Sequence, residues 1–369
     1  MRYLSIIFLG LILSCSKNTE KKEQKSVEDQ CFQTLGINYD EKKSVASIPT
    51  SEEILRNLPK QIQYSENASL PAFSFDKDKY QENLAKERDY FVSESYKAKF
   101  SGWISLLPEF NYLSEQKFHE TSYALAKNKY GLWLVEKTAD GKAKPYFLGL
   151  TQNVFTKIPE NQNFEFIKNG NIVLNGSLLV IERLSKYPII PKYTVIKDRQ
   201  QFSLNLDAVK KDSDQDGFND FFEDFIGLNP DSKDTDNDGT DDFNDLNPRF
   251  KSDDSNLAKM YEAIADVDGN QSRYTFTEVL TDCSNFQKIS PKNQKFLFYG
   301  TSEKFKLKDD VLNLYFPVKY SKIQKPKNKL QYETYFMDFG DEKGDGNLSA
   351  ELIDGKWKVT RQYNLKFGM

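Results

Sequence analysis

The chain has 369 residues, room for two or three domains of ordinary size. Hydrophobic residues make up 38% and aromatics 14%, with 28 Phe and 20 Tyr, which excludes a wholly disordered chain and predicts packed cores. The formal charge of −4 hides an asymmetry, because residues 212–245 hold thirteen acids and one base, leaving fifty bases against forty-two acids elsewhere.

Residues 1–15 read MRYLSIIFLGLILSC, with one Arg before an apolar stretch at 4–13, then Ser14 and Cys15. Ten apolar residues are too few to span a bilayer and fit the core of a signal peptide. The ending Ile12-Leu13-Ser14-Cys15 resembles the lipobox of bacterial lipoproteins. That resemblance implies a signal peptide at 1–14 and lipidation of Cys15; an ordinary secretory signal with a coincidental Cys is the alternative. Residues 15–30 are polar and charged and read as a disordered tether. The expected address is a bacterial cell envelope, with the membrane as partner through the N-terminal lipid. Ser16, in place of the Asp that retains lipoproteins at an inner membrane, favours the outer membrane.

Over 31–206 strands dominate, and a mainly β domain is expected. Residues 123–158 hold period-2 runs broken at Asp140-Gly141, a hairpin signal. Residues 169–184 give two further runs around Asn175-Gly176, Pro188 and Pro191 interrupt, and 193–206 resumes. A helix is predicted over 79–99.

The run 212–245, DSDQDGFNDFFEDFIGLNPDSKDTDNDGTDDFND, contains two copies of one twelve-residue loop. Asp212, Asp214, Asp216, Gly217, Asp220 and Glu223 occupy positions 1, 3, 5, 6, 9 and 12 of the first. Asp234, Asp236, Asp238, Gly239, Asp242 and Asp245 occupy the same positions of the second. Alternating carboxylates, a Gly for the sharp turn and an inward carbonyl at position 7 (Phe218 or Thr240) suit calcium, which takes six to eight oxygens at loose geometry. Magnesium demands tighter octahedral geometry, and zinc would want His or Cys, which the run lacks. Like charges about 4 Å apart repel by roughly 4 kcal/mol at an effective dielectric near 20, so the run needs a counter-ion to close.

Between the loops, Phe221, Phe225 and Leu228 with the pair Phe222 and Ile226 predict a short helix ending at Gly227, before Pro230. No amphipathic helix precedes the first loop, so these are not full helix-loop-helix EF-hands. DxDxDGxxDxxE, then GLNP, then DTDNDGTDD and NP, resembles the bacterial form of the thrombospondin type 3 calcium repeat. The resemblance covers about 210–249, roughly a tenth of the chain, and departs from the animal repeat in lacking cysteines. It implies a calcium-stiffened connector at 207–249 between two domains. A dockerin-type module matches less well, because its second segment should continue into a longer helix than DFNDLNP permits.

Residues 250–369 read as an α+β domain with an antiparallel sheet. Leu257, Met260, Tyr261 and Ile264 mark an amphipathic helix. KFLFYG, VLNLYFPVKY, LQYETYFMDF and NLSAELIDGKWKVTRQY read as strands, the last with a turn at Asp354-Gly355. Asp266, Asp268, Asn270 and Glu278 form a weak third metal candidate. It needs one inserted residue, and Gln271 stands where the turn Gly should be, so a capped turn is the better reading. DEKGDGN at 341–347 reads first as a link between two strands. KIQKPKNK at 322–329, the best basic run, reads as a loop, which argues against a nucleic-acid partner. Cys31 and Cys283 can pair in an oxidising envelope or stay apart as free thiols.

His119 is the only histidine and stands alone in KFHET; no GxSxG, Walker or Rossmann glycine pattern is present. The chain is therefore expected to be a non-enzymatic, calcium-binding envelope lipoprotein with a protein partner in the envelope. An envelope hydrolase with structural calcium sites and a surface adhesin or assembly subunit are the rival readings.

Overall fold

The computed structural model describes residues 30–33, 48–156, 164–183, 190–266, 272–303, 318–341 and 344–364. Over these the protein is mainly β, with mostly antiparallel sheets and a few short helices. The leader with Cys15, the tether up to residue 29, and Asp268 and Asn270 of the weak third candidate lie outside the described residues. No helix among the described residues is long and apolar enough to cross a membrane.

The helix expected at 79–99 is divided into Tyr80–Val92 and Glu94–Lys99. Ser93 causes the break: its ψ of 150° leaves the helical region, and its Oγ accepts from the Tyr96 N–H at 3.2 Å to cap the second piece. Strand β1 (Gln63–Glu66) precedes these helices. An antiparallel meander follows, formed by β2 (Asn111–Phe118), β3 (Thr121–Asn128), β4 (Gly131–Lys137) and β5 (Ala143–Phe147) in that order. Asp140-Gly141 lies between β4 and β5 as expected, with Gly141 at φ +80°.

A second sheet contains β6 (Val154–Thr156), β7 (Ile167–Lys168), β8 (Asn171–Arg183) and β9 (Pro191–Asn205). Its order is β1-β9-β8-β6, with β7 also paired to β8. Asn175-Gly176 does not divide two runs: β8 passes through it as one strand, with irregular register between Gly176 and Leu178. A Cβ on Gly176 would meet the Phe155 carbonyl oxygen at 2.3 Å, so the glycine serves a close approach of β6. The turn is made earlier, at Asn169 and Gly170, with φ of +50° and +74°.

The C-terminal part holds the expected helix, Asn256–Ala265, capped by the Ser255 hydroxyl. Four antiparallel strands follow in order: β12 (Lys319–Tyr320), β13 (Glu333–Asp341), β14 (Gly344–Ile353) and β15 (Lys356–Tyr363). Asp354-Gly355 turns β14 into β15. Residues 341–347 lie across the β13–β14 pairing, with Asp341 opposite Gly344. The run FLFY is a correction to the expected single sheet. Strand β11 (Phe296–Tyr299) pairs in parallel with β10 (Thr277–Leu280), apart from the antiparallel sheet. Leu297 and Tyr299 enter one hydrophobic core while Phe296 and Phe298 enter the other. A strand buried on both faces reads as an unbroken apolar run, which hides its alternation.

The larger core reaches from Ile54 to Tyr299 and the smaller from Cys31 to Ala350. The boundary expected at 250 is therefore crossed: Tyr274, Phe276, Leu297 and Tyr299 pack with the first half of the chain. Cys31 and Cys283 are joined by a disulfide that ties residue 31 into the smaller core.

Candidate metal centre

The two acidic loops repeat each other in backbone as well as sequence. Gln215 and Asn237, both at position 4, have φ of 65° and 60°; Gly217 and Gly239, both at position 6, have φ of 123° and 105°. Gly is required at that φ, which a side chain would strain. In both loops position 3 accepts from the N–H of position 5 at 3.0 Å: Asp214 from Asp216, and Asp236 from Asp238. Position 5 accepts from position 7, from Phe218 at 2.7 Å and from Thr240 at 2.8 Å. Position 9 accepts from the N–H and hydroxyl of position 2. Asp220 takes Ser213 at 2.8 and 2.9 Å, and Asp242 takes Thr235 at 2.9 and 2.6 Å.

The segment is lodged in the larger core and is not a free-standing linker. Helix Asp220–Ile226 buries Phe221, Phe222, Phe225 and Ile226, and Gly227 ends it at φ 80° with its N–H on the Glu223 carbonyl at 2.8 Å. The Phe222 ring lies 4.8 Å from Trp133 and 5.7 Å from Phe147, a register pair on β4 and β5. Asn219 extends the edge of β5: it accepts from the Phe147 N–H and donates to the Phe147 carbonyl, both at 3.0 Å. On the same strand, Lys144 reaches Asp212 at 2.9 Å. Neither anchor shows in the sequence, since each joins residues about seventy positions apart without a local pattern.

Three carboxylate groups follow among the described residues. One oxygen each from Asp212, Asp214 and Asp216 lies within 4.8 Å of the others, and the same holds for Asp234, Asp236 and Asp238. A third group, Asp216, Glu223 and Asp242, draws on both loops. Asp245 lies outside these groups and accepts from the Asn247 N–H at 2.8 Å. Asp reaches one methylene less far than Glu223 does at the same loop position. Asp220 is likewise committed elsewhere, to Ser213 and to Lys211 at 2.7 Å.

The electrostatics are those of crowded, buried carboxylates. Glu223 is fully buried, and neither of its oxygens meets a hydrogen-bond donor. One oxygen each of Asp214, Asp216 and Asp236 is also buried without a donor. Burial, then the charges of Asp216 and Asp214, pushes Glu223 up to about 9. Burial is also the main cause that lifts Asp216 and Asp236 to about 6 and Asp242 to about 7, and that raises Asp214 and Asp245. Two other acids of the loops, Asp220 at position 9 of the first and Asp234 at position 1 of the second, go the other way. Burial opposes the shift at Asp220, but bonds from Lys211 and Ser213 hold it low; at Asp234, backbone N–H groups of Gly239, Asp238 and Asn237 do the same. Buried carboxylate oxygens without donors are costly, and a hard cation is the partner that an all-oxygen set of this kind fits.

Lys295 was not singled out by its sequence context. Its buried ammonium donates to the Phe243 carbonyl and lies 5.1, 5.5 and 5.3 Å from the rings of Phe218, Phe243 and Phe276. Burial lowers it to about 8, against the pull of Asp245 and Asp216.

The weak third candidate does not assemble from its described members. Glu278 is buried on β10, accepting from Lys129 at 2.8 Å and from the Tyr130 hydroxyl at 2.5 Å, while Asp266 caps a helix and accepts from Asn293. His119 has φ 52° and lies beside Phe118 at 4.3 Å, between β2 and β3. Cys31 and Cys283 form a disulfide, so neither offers a free thiol to His119. No family model matches the chain, and no curated protein or solved structure matches it either.

Proposed function

We propose that this protein is a calcium-binding lipoprotein of a bacterial envelope, without catalytic activity, in which calcium orders residues 212–245. The observation that carries the ligand is Glu223, whose two oxygens are buried without a donor beside Asp216 and Asp242. Calcium would supply the positive charge that these oxygens lack. Asp212, Asp214, Asp216 and Glu223 would hold one ion, and Asp234, Asp236 and Asp238 another. Because helix Asp220–Ile226 belongs to the larger core, ordering the loops also steadies the packing of Phe222 on Trp133. Extracellular loops of this kind bind at about 0.1–1 mM, so export to the envelope would keep them filled. The lipid anchor at Cys15 and the outer-membrane address rest on the leader sequence.

The ligand is tested by thermal melts in EGTA and in 2 mM calcium. We expect a rise of several degrees with calcium, abolished by Asp214→Ala combined with Asp236→Ala; an unchanged rise in the double variant would reject the loop assignment. The anchor is tested by acyl labelling of the expressed protein, which Cys15→Ser should abolish.

A surface adhesin or assembly subunit is the second reading. It is favoured by an aromatic group in which Phe73 and Phe75 gather around Tyr193, with Phe155 47% exposed beside Phe73.

A further inference from the structure

The two position-9 carboxylates occupy equivalent places in the repeat but have different surroundings. Each accepts from the N–H and hydroxyl of its own position 2, and each donates its backbone N–H to a lysine carbonyl, Lys211 or Lys233. Asp220 in addition receives the Lys211 ammonium at 2.7 Å. Asp242 forms no ion pair within 4 Å among the described residues, is 1% exposed, and lies with Asp216 and Glu223 of the other loop, their oxygens within 4.8 Å. Three carboxylates with oxygens at that separation, those of Glu223 and Asp242 on buried residues, repel strongly unless protons or a cation lie among them. Glu223, fully buried with both oxygens free of donors, points to that cation independently of the acidic cluster itself.

We propose that Asp242 of the second loop completes the cation site of the first, so that the two loops fill cooperatively as one unit. The proposal rests on the calcium reading above. Its consequence follows from the bonds on Asp242. The carboxylate that faces the first site also holds the N–H and hydroxyl of Thr235, at position 2 of the second loop. A cation held by Asp216, Glu223 and Asp242 fixes Asp242, and through Thr235 it pre-orders the second loop before that loop is filled. Linkage makes the effect reciprocal: a filled second loop holds Asp242 in place for the first. Position spacing alone assigns Asp242 to the second loop and predicts two independent sites.

The test uses the full chain stripped with EGTA and titrated with calcium by calorimetry. Asp236→Ala silences the second loop while leaving Asp242 in place. Adding Asp242→Asn to that chain should weaken the remaining site tenfold or more. Adding Thr235→Val instead removes a hydrogen bond on Asp242 but keeps its charge, and should change affinity less than threefold. Near-ultraviolet circular dichroism of the calcium-loaded chains reports whether the Phe218–Phe222 packing survives each change. In the wild type the two binding steps should be cooperative, and Asp242→Asn should remove the cooperativity. Equal calcium affinity with and without Asp242→Asn in the Asp236→Ala chain would overturn the coupling while leaving calcium binding intact. Absence of any calcium heat in the wild type would overturn the calcium reading and the coupling together.

Discussion

The ammonium of Lys295 lies 5.1 Å from the ring centroid of Phe218, the residue at position 7 of the first loop. Residue 295 immediately precedes β11, whose side chains alternate between the two cores. A buried cation thus stands behind the acidic loops, held by Phe243 through its carbonyl and by three aromatic rings.

The effect of Lys295→Met should therefore depend on the ionic state. Without calcium the lysine faces Asp245, Asp216, Asp241 and Asp242, whose attraction offsets part of its burial cost, so its replacement by an apolar side chain should change stability little. With calcium present it is a like charge near the ions, and its loss should stabilise by about 1–2 kcal/mol. Melts of the variant in EGTA and in calcium decide this; a gain in EGTA equal to or larger than the gain in calcium would reject the account.

Glu223→Gln should stabilise the calcium-free protein by about 1–3 kcal/mol, because it removes a carboxyl that the fold buries without a donor and must hold either protonated or as an unpaired charge. The same change should sharply reduce the calcium-induced rise in Tm. A variant that melts lower than wild type in EGTA would show that Glu223 has an internal partner.

The pH dependence follows from the same group. A carboxyl whose folded pKa is raised stabilises the fold fully below its unfolded pKa, near 4.3, and loses that contribution as pH rises through the folded value. For Glu223 that window extends to about 9, with Asp216, Asp236 and Asp242 losing theirs by about 6 to 7. Urea unfolding in EGTA should show stability falling from pH 5 to pH 9, while calcium affinity rises over the same range as protons leave the ligands. Flat stability in EGTA across that range would contradict the burial of these groups.

Tyr130→Phe removes the hydroxyl that donates to Glu278 at 2.5 Å and accepts from the Phe276 N–H at 3.0 Å. It leaves two buried polar groups short of a partner, at a cost of about 1–3 kcal/mol. Equilibrium urea unfolding checks this, and a change below about 0.5 kcal/mol would show that Lys129 alone satisfies Glu278.

The disulfide joins residues 252 positions apart. The chain-entropy argument gives such a closure about 5 kcal/mol, so Cys31→Ser with Cys283→Ser should lower stability by up to that amount. Unfolding followed with and without reductant should show the reduced wild type matching the double variant.

Local periodicity made much of the fold legible: the β4–β5 turn at Asp140-Gly141, the helix at Asn256–Ala265, the β14–β15 turn and the short helix Asp220–Ile226 that runs out of the first loop. Each depends on contacts between near neighbours, which leave a period or a turn signature. Gly176 misled because a glycine needed for a close backbone approach looks, in sequence, like one needed for a turn. The FLFY strand misled because burial on both faces erases the alternation that would place it.

The order of the loop residues was legible along the chain: carboxylates at positions 1, 3 and 5, a glycine at 6 and a carboxylate at 12, the arrangement a short chain needs to wrap one ion. Which carboxylates face one another was settled by packing. Asp242 stands with Asp216 and Glu223, Lys295 sits behind both loops, and the segment joins the larger core. Those relations depend on how Phe222 packs against Trp133 and how β11 passes between two cores, and long-range packing of that kind leaves no spacing in the chain.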